Sequence, residues 1–118
     1  IFDPMVFTDV TSESRLGCEE VFGPVVSLQA YASYDEALTE VNRSPYGLQA
    51  GLYTTDLTEI QRAFTQLEVG ALLVNEVPTW RVDHMPYGGV KDSGFGREGL
   101  RYAYQDYTEE RMLVLPAP

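Results

Sequence analysis

The stretch AGLYTTDLTEIQRAFTQLEVGALLV, residues 50–74, decides the fold. Ala50-Gly51-Leu52-Tyr53-Thr54 reads as a strand, and Asp56-Leu57-Thr58-Glu59 places an N-cap oxygen and a carboxylate where a helix starts. Ile60, Ala63, Phe64 and Leu67 then recur at i, i+3, i+4 and i+7, one face of a helix. Gly70 stands where a helix C-cap is expected. Ala71-Leu72-Leu73-Val74 is a continuous apolar run, the mark of a strand covered on both faces. Short links between a strand, a helix and a strand call for a parallel pair joined by a crossover.

Upstream the pattern repeats. Val25 to Ala30 is β-prone, and Ser33-Tyr34-Asp35-Glu36 is a capping box. Ala37, Leu38 and Val41 follow at helical spacing, until Asn42 to Leu48, with Pro45 inside, breaks the helix. The segment Pro4 to Val10 reads as a further short strand, and Thr11-Ser12-Glu13-Ser14 as a turn or cap. The order strand–helix–strand–helix–strand makes the fold class α/β, a parallel sheet with flanking helices.

With 118 residues the chain is one domain at most, long enough to bury a core of its own. Eighteen acidic residues against eight basic give a net charge of −10, which disfavours nucleic acid and anionic membrane as partners. No apolar run is long enough to span a membrane. One cysteine, Cys18, excludes an internal disulfide and suits a reducing, cytoplasmic setting. Ile1 at the start, with a strand almost at once, suggests a piece of a longer protein.

Three segments stand outside this scaffold. Glu19-Glu20-Val21-Phe22-Gly23-Pro24 sets two carboxylates and a ring before a Gly-Pro corner, where Pro24 fixes its own φ and steers Gly23 away from helix. Asn75 to His84 is irregular and carries the only Trp and the only His. Trp80 suits a pocket wall and a core cap equally, and His84 lacks the carboxylate context of a relay and the spacing of a metal site. Last, Gly94-Phe95-Gly96-Arg97-Glu98-Gly99 matches the letters of the dinucleotide fingerprint, but loop rather than strand precedes it and no ribose-binding acid follows at the required distance.

Two of these segments carry a resemblance. Glu19 to Val25, EEVFGPV, resembles the E-E-[IV]-F-G-P-[VI] signature of the aldehyde dehydrogenase superfamily. Pro86 to Glu98, PYGGVKDSGFGRE, fits that superfamily's P-[FY]-G-G-x-K-x-S-G-x-G-R-E at every specified position. The two lie in order and at suitable separation, so the resemblance covers nearly the whole chain. It implies a C-terminal piece of an NAD- or NADP-dependent enzyme that oxidises an aldehyde to a carboxylic acid through a cysteine thioester.

Residue by residue, the resemblance implies that Glu20 binds the ribose hydroxyls beside the nicotinamide and that Phe22 packs against the nicotinamide and its ribose. Glu19 would face elsewhere. Glu76, Val77, Pro78, Thr79, Trp80 and Tyr87 would line the aldehyde tunnel. Arg81 and His84 beside it suit an aldehyde bearing an acid or phosphate, while Arg81 equally suits an ion pair. Residues 1–108 would belong to the catalytic domain, and residues 109–118 would form an oligomerisation strand in a homo-oligomer. No catalytic residue is assigned: the nucleophilic cysteine, the general-base glutamate, the oxyanion-stabilising asparagine and the Rossmann-type cofactor domain match nothing here. Cys18 lies too close to the first signature to be the nucleophile, and reads as a buried or incidental thiol. Residues 1–118 alone should therefore be inactive. The alternative is a stand-alone α/β interaction or oligomerisation module without catalysis.

Overall fold

Backbone pairing divides the chain into three ladders of two strands each. In chain order the elements are β1 (Met5–Thr8), α1 (Arg15–Cys18), β2 (Val25–Leu28), α2 (Tyr34–Arg43), β3 (Tyr46–Gly47), β4 (Gln49–Leu52), α3 (Leu57–Gln66), β5 (Ala71–Val74), β6 (Val90–Lys91) and α4 (Leu100–Asp106). The computed structural model describes residues 1–117.

The stretch that decides the fold forms the expected unit. β4 and β5 are parallel, in register from Gln49 opposite Ala71 to Leu52 opposite Val74, with α3 between them in sequence. β1 and β2 make a second parallel pair, Met5 opposite Val25 to Thr8 opposite Leu28. The class is α/β, as read from the sequence. The strands do not, however, join into one parallel sheet among the described residues. After Pro45, the two-residue β3 pairs antiparallel with β6, Tyr46 opposite Lys91, before β4 begins. The ladder therefore changes partner between β2 and β4.

Local chemistry accounts for the helix starts. The Ser33 hydroxyl accepts the Glu36 N–H, and the Glu36 carboxylate accepts the N–H of Ala32 at 2.7 Å, one residue upstream of the usual capping-box partner. Asp56 Oδ1 accepts the Thr58 N–H at 2.7 Å. At its other end α3 stops at Gln66, with Leu67 already extended at φ −74° and ψ 128°. Gly70 is thus not the helix cap expected from its position. That work falls to Asn42 of α2: its amide donates to the Gln66 carbonyl at 2.7 Å and accepts the Glu68 N–H at 2.9 Å. Two orphaned backbone groups at the end of α3 are satisfied from the neighbouring helix.

The same two helices meet at their N-terminal ends. Tyr34 donates its hydroxyl to the Glu59 carbonyl at 2.7 Å, and Arg62 pairs with Asp35 while lying 5.4 Å from the Tyr34 ring centroid. Start joined to start and end to end, α2 and α3 run side by side in the same direction. Burial and the Glu59 carboxylate push the Tyr34 hydroxyl above its ordinary value, with Arg62 opposing.

Gly70 serves a different purpose. A Cβ built there would lie 1.8 Å from the Gly88 carbonyl oxygen, so the backbone of the Pro86–Val90 loop crosses directly over the start of β5. The Gly70 N–H donates to Gly47 O at 3.0 Å and Ala71 N–H to Leu48 O at 3.2 Å, which ties the end of β3 to the start of β5 beneath that loop.

The core is small. Leu38 at 5 %, Ala63 at 0 % and Leu73 at 7 % exposure are the fully buried hydrophobic residues among those described. Full burial of a leucine contributes about 1.5–3 kcal/mol, so two leucines and an alanine hold little. The radius of gyration is 19.2 Å, against about 13 Å for a compact domain of this length. The chain is long enough to bury a core of its own, but the core formed by its described residues is small. β5 is covered by α3 at Leu73, but Val74 is open, and Phe64, on the apolar stripe of α3, faces solvent. The apolar run 112–115 is exposed as well, and it forms no strand within this chain.

Candidate functional site: the Gly-Pro corner and the cleft after β5

The first signature folds into a tight corner. The Gly23 N–H donates to Val21 O at 3.0 Å and the Val25 N–H to Gly23 O at 2.8 Å, after which Pro24 O accepts the Met5 N–H at 2.9 Å and the β1–β2 ladder begins. The preceding carboxylates are not equivalent. Glu19 takes the Arg15 guanidinium in a two-pronged contact at 3.0 Å, one helical turn away, and that hydrogen bond holds its carboxyl below the usual glutamate value. Glu20 makes no side-chain hydrogen bond among the described residues, and Phe22 is 92 % exposed beside it. The corner thus presents one committed carboxylate, one uncommitted carboxylate and an open aromatic face. Cys18, expected to be buried or incidental, is exposed at the end of α1.

The second group of candidates leaves β5 through Asn75. Asn75 adopts a left-handed backbone at φ 56°, which asparagine tolerates better than most residues. Its amide is bonded on both sides to Thr54, accepting from the N–H and donating to the carbonyl, each at 3.0 Å. The parallel strand ends are clamped at that point, and the chain departs into Glu76–His84. A turn follows in which the Trp80 N–H donates to Val77 O at 3.1 Å.

Pro78, Thr79 and Tyr87 come together with Leu48, Gln49 and Arg81 around a cleft of about 300 Å³. Arg81 lies 4.7 Å from the Tyr87 ring centroid, in cation–π range. Its nearest carboxylate is Asp83 at 4.0 Å, and that side chain is fully exposed, so the ion-pair alternative for Arg81 is weak. Gln49 Nε2 is buried with no hydrogen-bond partner, alone among the described side chains in that respect. Sequence reasoning passed over Gln49, because it falls at the start of a strand and belongs to no motif.

The other tunnel candidates stand apart from this cleft. Glu76 is half-buried, Val77 is exposed, and Trp80 at 46 % exposure caps no core among the described residues. His84 lies with Asp83 on a broad groove whose far wall is α4. The cleft does not include Glu20 or Phe22 either.

The glycine-rich signature is built as a clasp. Tyr87 and Glu98 exchange backbone hydrogen bonds at 3.2 and 2.6 Å, closing the loop between them. Ser93 Oγ accepts the Gly47 N–H at 2.9 Å. Lys91 donates to the Asn42 and Ser44 carbonyls at 2.8 and 3.2 Å and pairs with Glu68 at 2.9 Å. Arg97 donates to the Gly89 and Gly96 carbonyls. These charged and hydroxyl groups are occupied in holding the glycine-rich loop to itself and to the end of α2 and β3. Gly99 precedes α4, which has seven residues, and the strand before the loop is the two-residue antiparallel β6. That is not the strand and helix a dinucleotide fingerprint requires.

The chain matches the aldehyde dehydrogenase family over residues 1–113. It is 50 % identical over 112 residues to the 3-sulfolactaldehyde dehydrogenase of Priestia megaterium, a match covering 95 % of this chain and 24 % of that protein. Among solved structures it is similar to aldehyde dehydrogenase 21 of Physcomitrella patens in complex with the reaction product succinate, with TM-score 0.87 and 47 % identity over 90 % of this chain and 22 % of that one. It is also similar to the betaine aldehyde dehydrogenase of Staphylococcus aureus in complex with NAD+, with TM-score 0.83 and 34 % identity over 90 % of this chain and 21 % of that one. The chain belongs to the aldehyde dehydrogenase family, and it spans about a quarter of the length of the relatives it matches.

Proposed function

We propose that these residues serve as the cofactor-facing corner and substrate wall of an NAD- or NADP-dependent aldehyde dehydrogenase. The observation that carries the proposal is the asymmetry of Glu19 and Glu20. Arg15 occupies the first, while the second stands free beside an open aromatic face. A carboxylate without a protein partner can accept two hydroxyl donors at once, which suits a ribose diol. Phe22 offers the flat apolar surface that a nicotinamide ring needs. The cofactor's contribution is to accept the hydride; the part of Glu20 and Phe22 is to hold its ribose and ring in one orientation, because misplaced reacting atoms cost rate steeply.

On the substrate side, the cleft of Pro78, Thr79 and Tyr87 forms one wall of the aldehyde's path. The names of the relatives favour an aldehyde with an anionic group: one carries a sulfo group in its substrate's name, and another holds succinate as product. The nucleophilic cysteine and the general base come from outside residues 1–118, so these residues alone should oxidise nothing. Residues 109–118 are assigned to subunit pairing on the strength of the exposed run Met112-Leu113-Val114-Leu115.

A hybrid tests the proposal. The 112 matching residues of the 3-sulfolactaldehyde dehydrogenase of Priestia megaterium are replaced by those of this chain, and reduction of NAD+ or NADP+ is followed at 340 nm with 3-sulfolactaldehyde. Turnover within about tenfold of the parent is expected. A folded, oligomeric hybrid with no turnover contradicts the proposal.

A further inference from the structure

We infer that Asn75 is a positioning residue, whose amide clamp on Thr54 fixes where residues 76–80 stand on the β4–β5 ladder and so how the aldehyde is seated. The inference rests on the substrate wall proposed above and adds what holds that wall in place.

The loop is gripped at its root by three hydrogen bonds. The Asn75 N–H donates to Leu52 O at 2.7 Å, while its side-chain amide accepts the Thr54 N–H and donates to the Thr54 carbonyl, each at 3.0 Å. Asparagine suits the place for two reasons at once. Glycine would adopt the φ of 56° at ease but has no side chain, and an ionised aspartate has no donor. Thr54 is itself tied down. Its hydroxyl donates to the Glu59 carboxylate and accepts the Asp56 N–H at 3.1 Å, and the Glu59 carbonyl accepts the Tyr34 hydroxyl at 2.7 Å. The clamp therefore closes on a point anchored to α3 and, through Tyr34, to α2.

A second observation comes from beneath the loop. A Cβ built on Gly51 of β4 would lie 2.7 Å from Glu76 O and 3.2 Å from Pro78 Cδ. The loop backbone therefore rests directly on the strand, at a separation that admits glycine and no larger residue without movement. Pro78 and Thr79 then wall the cleft after β5. With root and underside both fixed, the wall has one position rather than several. A reactant held in one orientation reacts far faster than one free to wander. The cofactor corner is separate, since neither Glu20 nor Phe22 lines this cleft. A loosened wall should affect the aldehyde and spare the cofactor, which a general loss of stability would not do.

The test uses the hybrid enzyme with 3-sulfolactaldehyde and NAD+ or NADP+. Asn75→Gly keeps the backbone conformation and removes only the clamp. With two hydrogen bonds lost, kcat/KM for the aldehyde should fall about 5- to 20-fold and hydrogen exchange at the Trp80 N–H should rise about tenfold, while KM for the cofactor changes less than about twofold. Gly51→Ala lifts the loop from below with the clamp intact, and should lower the same kcat/KM about two- to fivefold. Asn42→Ala is the matched control: it also costs two hydrogen bonds, at the far end of α3, and should leave kcat/KM for the aldehyde within about twofold of wild type. Should Asn75→Gly fail to fold, Gly51→Ala carries the same decision. An aldehyde kcat/KM or a Trp80 exchange rate unchanged in folded Asn75→Gly, or a loss that Asn42→Ala reproduces, overturns the inference and leaves the proposed function standing. A wild-type hybrid that is folded and inactive overturns the function itself.

Discussion

Gly70→Ala should be among the most damaging single changes in this chain. The added Cβ would sit 1.8 Å from Gly88 O, with Gly88 C at 2.8 Å and Leu48 O at 3.0 Å. Unbonded heavy atoms rest at about 3.5 Å, so the crossing loop must retreat by more than an ångström, and backbone on both sides resists it. Such overpacking costs about 1–3 kcal/mol. Any share of the strain that Gly70 itself takes up also pulls Gly70 N–H from Gly47 O and Ala71 N–H from Leu48 O, each worth about 0.5–1.5 kcal/mol net. The combined loss is about 3 kcal/mol. A chain with three fully buried hydrophobic residues belongs near the lower end of ordinary stabilities, about 5 kcal/mol, so more than half should disappear. Urea unfolding followed by Trp80 fluorescence measures the loss, and hydrogen exchange at the Ala71 N–H reports the crossing itself. Gly23→Ala is the control, because the nearest atom to its added Cβ is Val21 Cγ1 at 3.9 Å. If Gly70→Ala moved the urea midpoint no more than the control and left Ala71 protected, the crossing would not have the role given to it.

Three further outcomes are expected. Asn42→Ala leaves Gln66 O and Glu68 N–H to water, and should lower stability by about 1–2 kcal/mol in the same urea assay while α2 keeps its helicity. Tyr34→Phe should cost about 1 kcal/mol at neutral pH and also flatten the alkaline limb. The raised Tyr34 value gives a contribution present in full below the unfolded value near 10 and lost as pH climbs through the folded one, so a pH series of melting temperatures above pH 9 should diverge between the two proteins. Removing residues 111–118 should shift the chain toward monomer in sedimentation velocity at physiological salt, where repulsion among its excess carboxylates is screened beyond about 8 Å; an intact chain already monomeric at every concentration would contradict the pairing role of that tail.

Local signals read well from the sequence because they are settled by neighbours. Both helix starts, the β4–α3–β5 unit and the glycine-rich signature needed only the residues within one turn or one motif. What the sequence hid was settled at a distance. Gly70 looks like a helix cap until Gly88 is laid across it, and Asn42 looks like a helix breaker until the end of α3 arrives beside it. β2 pairs with β1 rather than continuing toward β4, since a two-residue strand after Pro45 diverts the ladder to β6. In the candidate site, the two motifs announced Glu20, Phe22 and Tyr87, whereas Gln49 was invisible: a lone polar residue at a strand start has meaning only once its amide is seen without a partner. Helix α4 escaped notice because Gly99 gives it no side-chain cap and its apolar residues remain exposed.

Glu20 is the group proposed to orient the cofactor. The direct measurement is single-turnover formation of NAD(P)H by the hybrid enzyme, wild type against Glu20→Gln, at saturating cofactor and aldehyde. The amide keeps the size of the side chain but gives up the charge-assisted acceptance of two hydroxyls. The single-turnover rate should fall about 10- to 100-fold, with the melting temperature of the free enzyme unchanged because Glu20 holds nothing within the described protein. A Glu20→Gln rate equal to wild type would contradict the account.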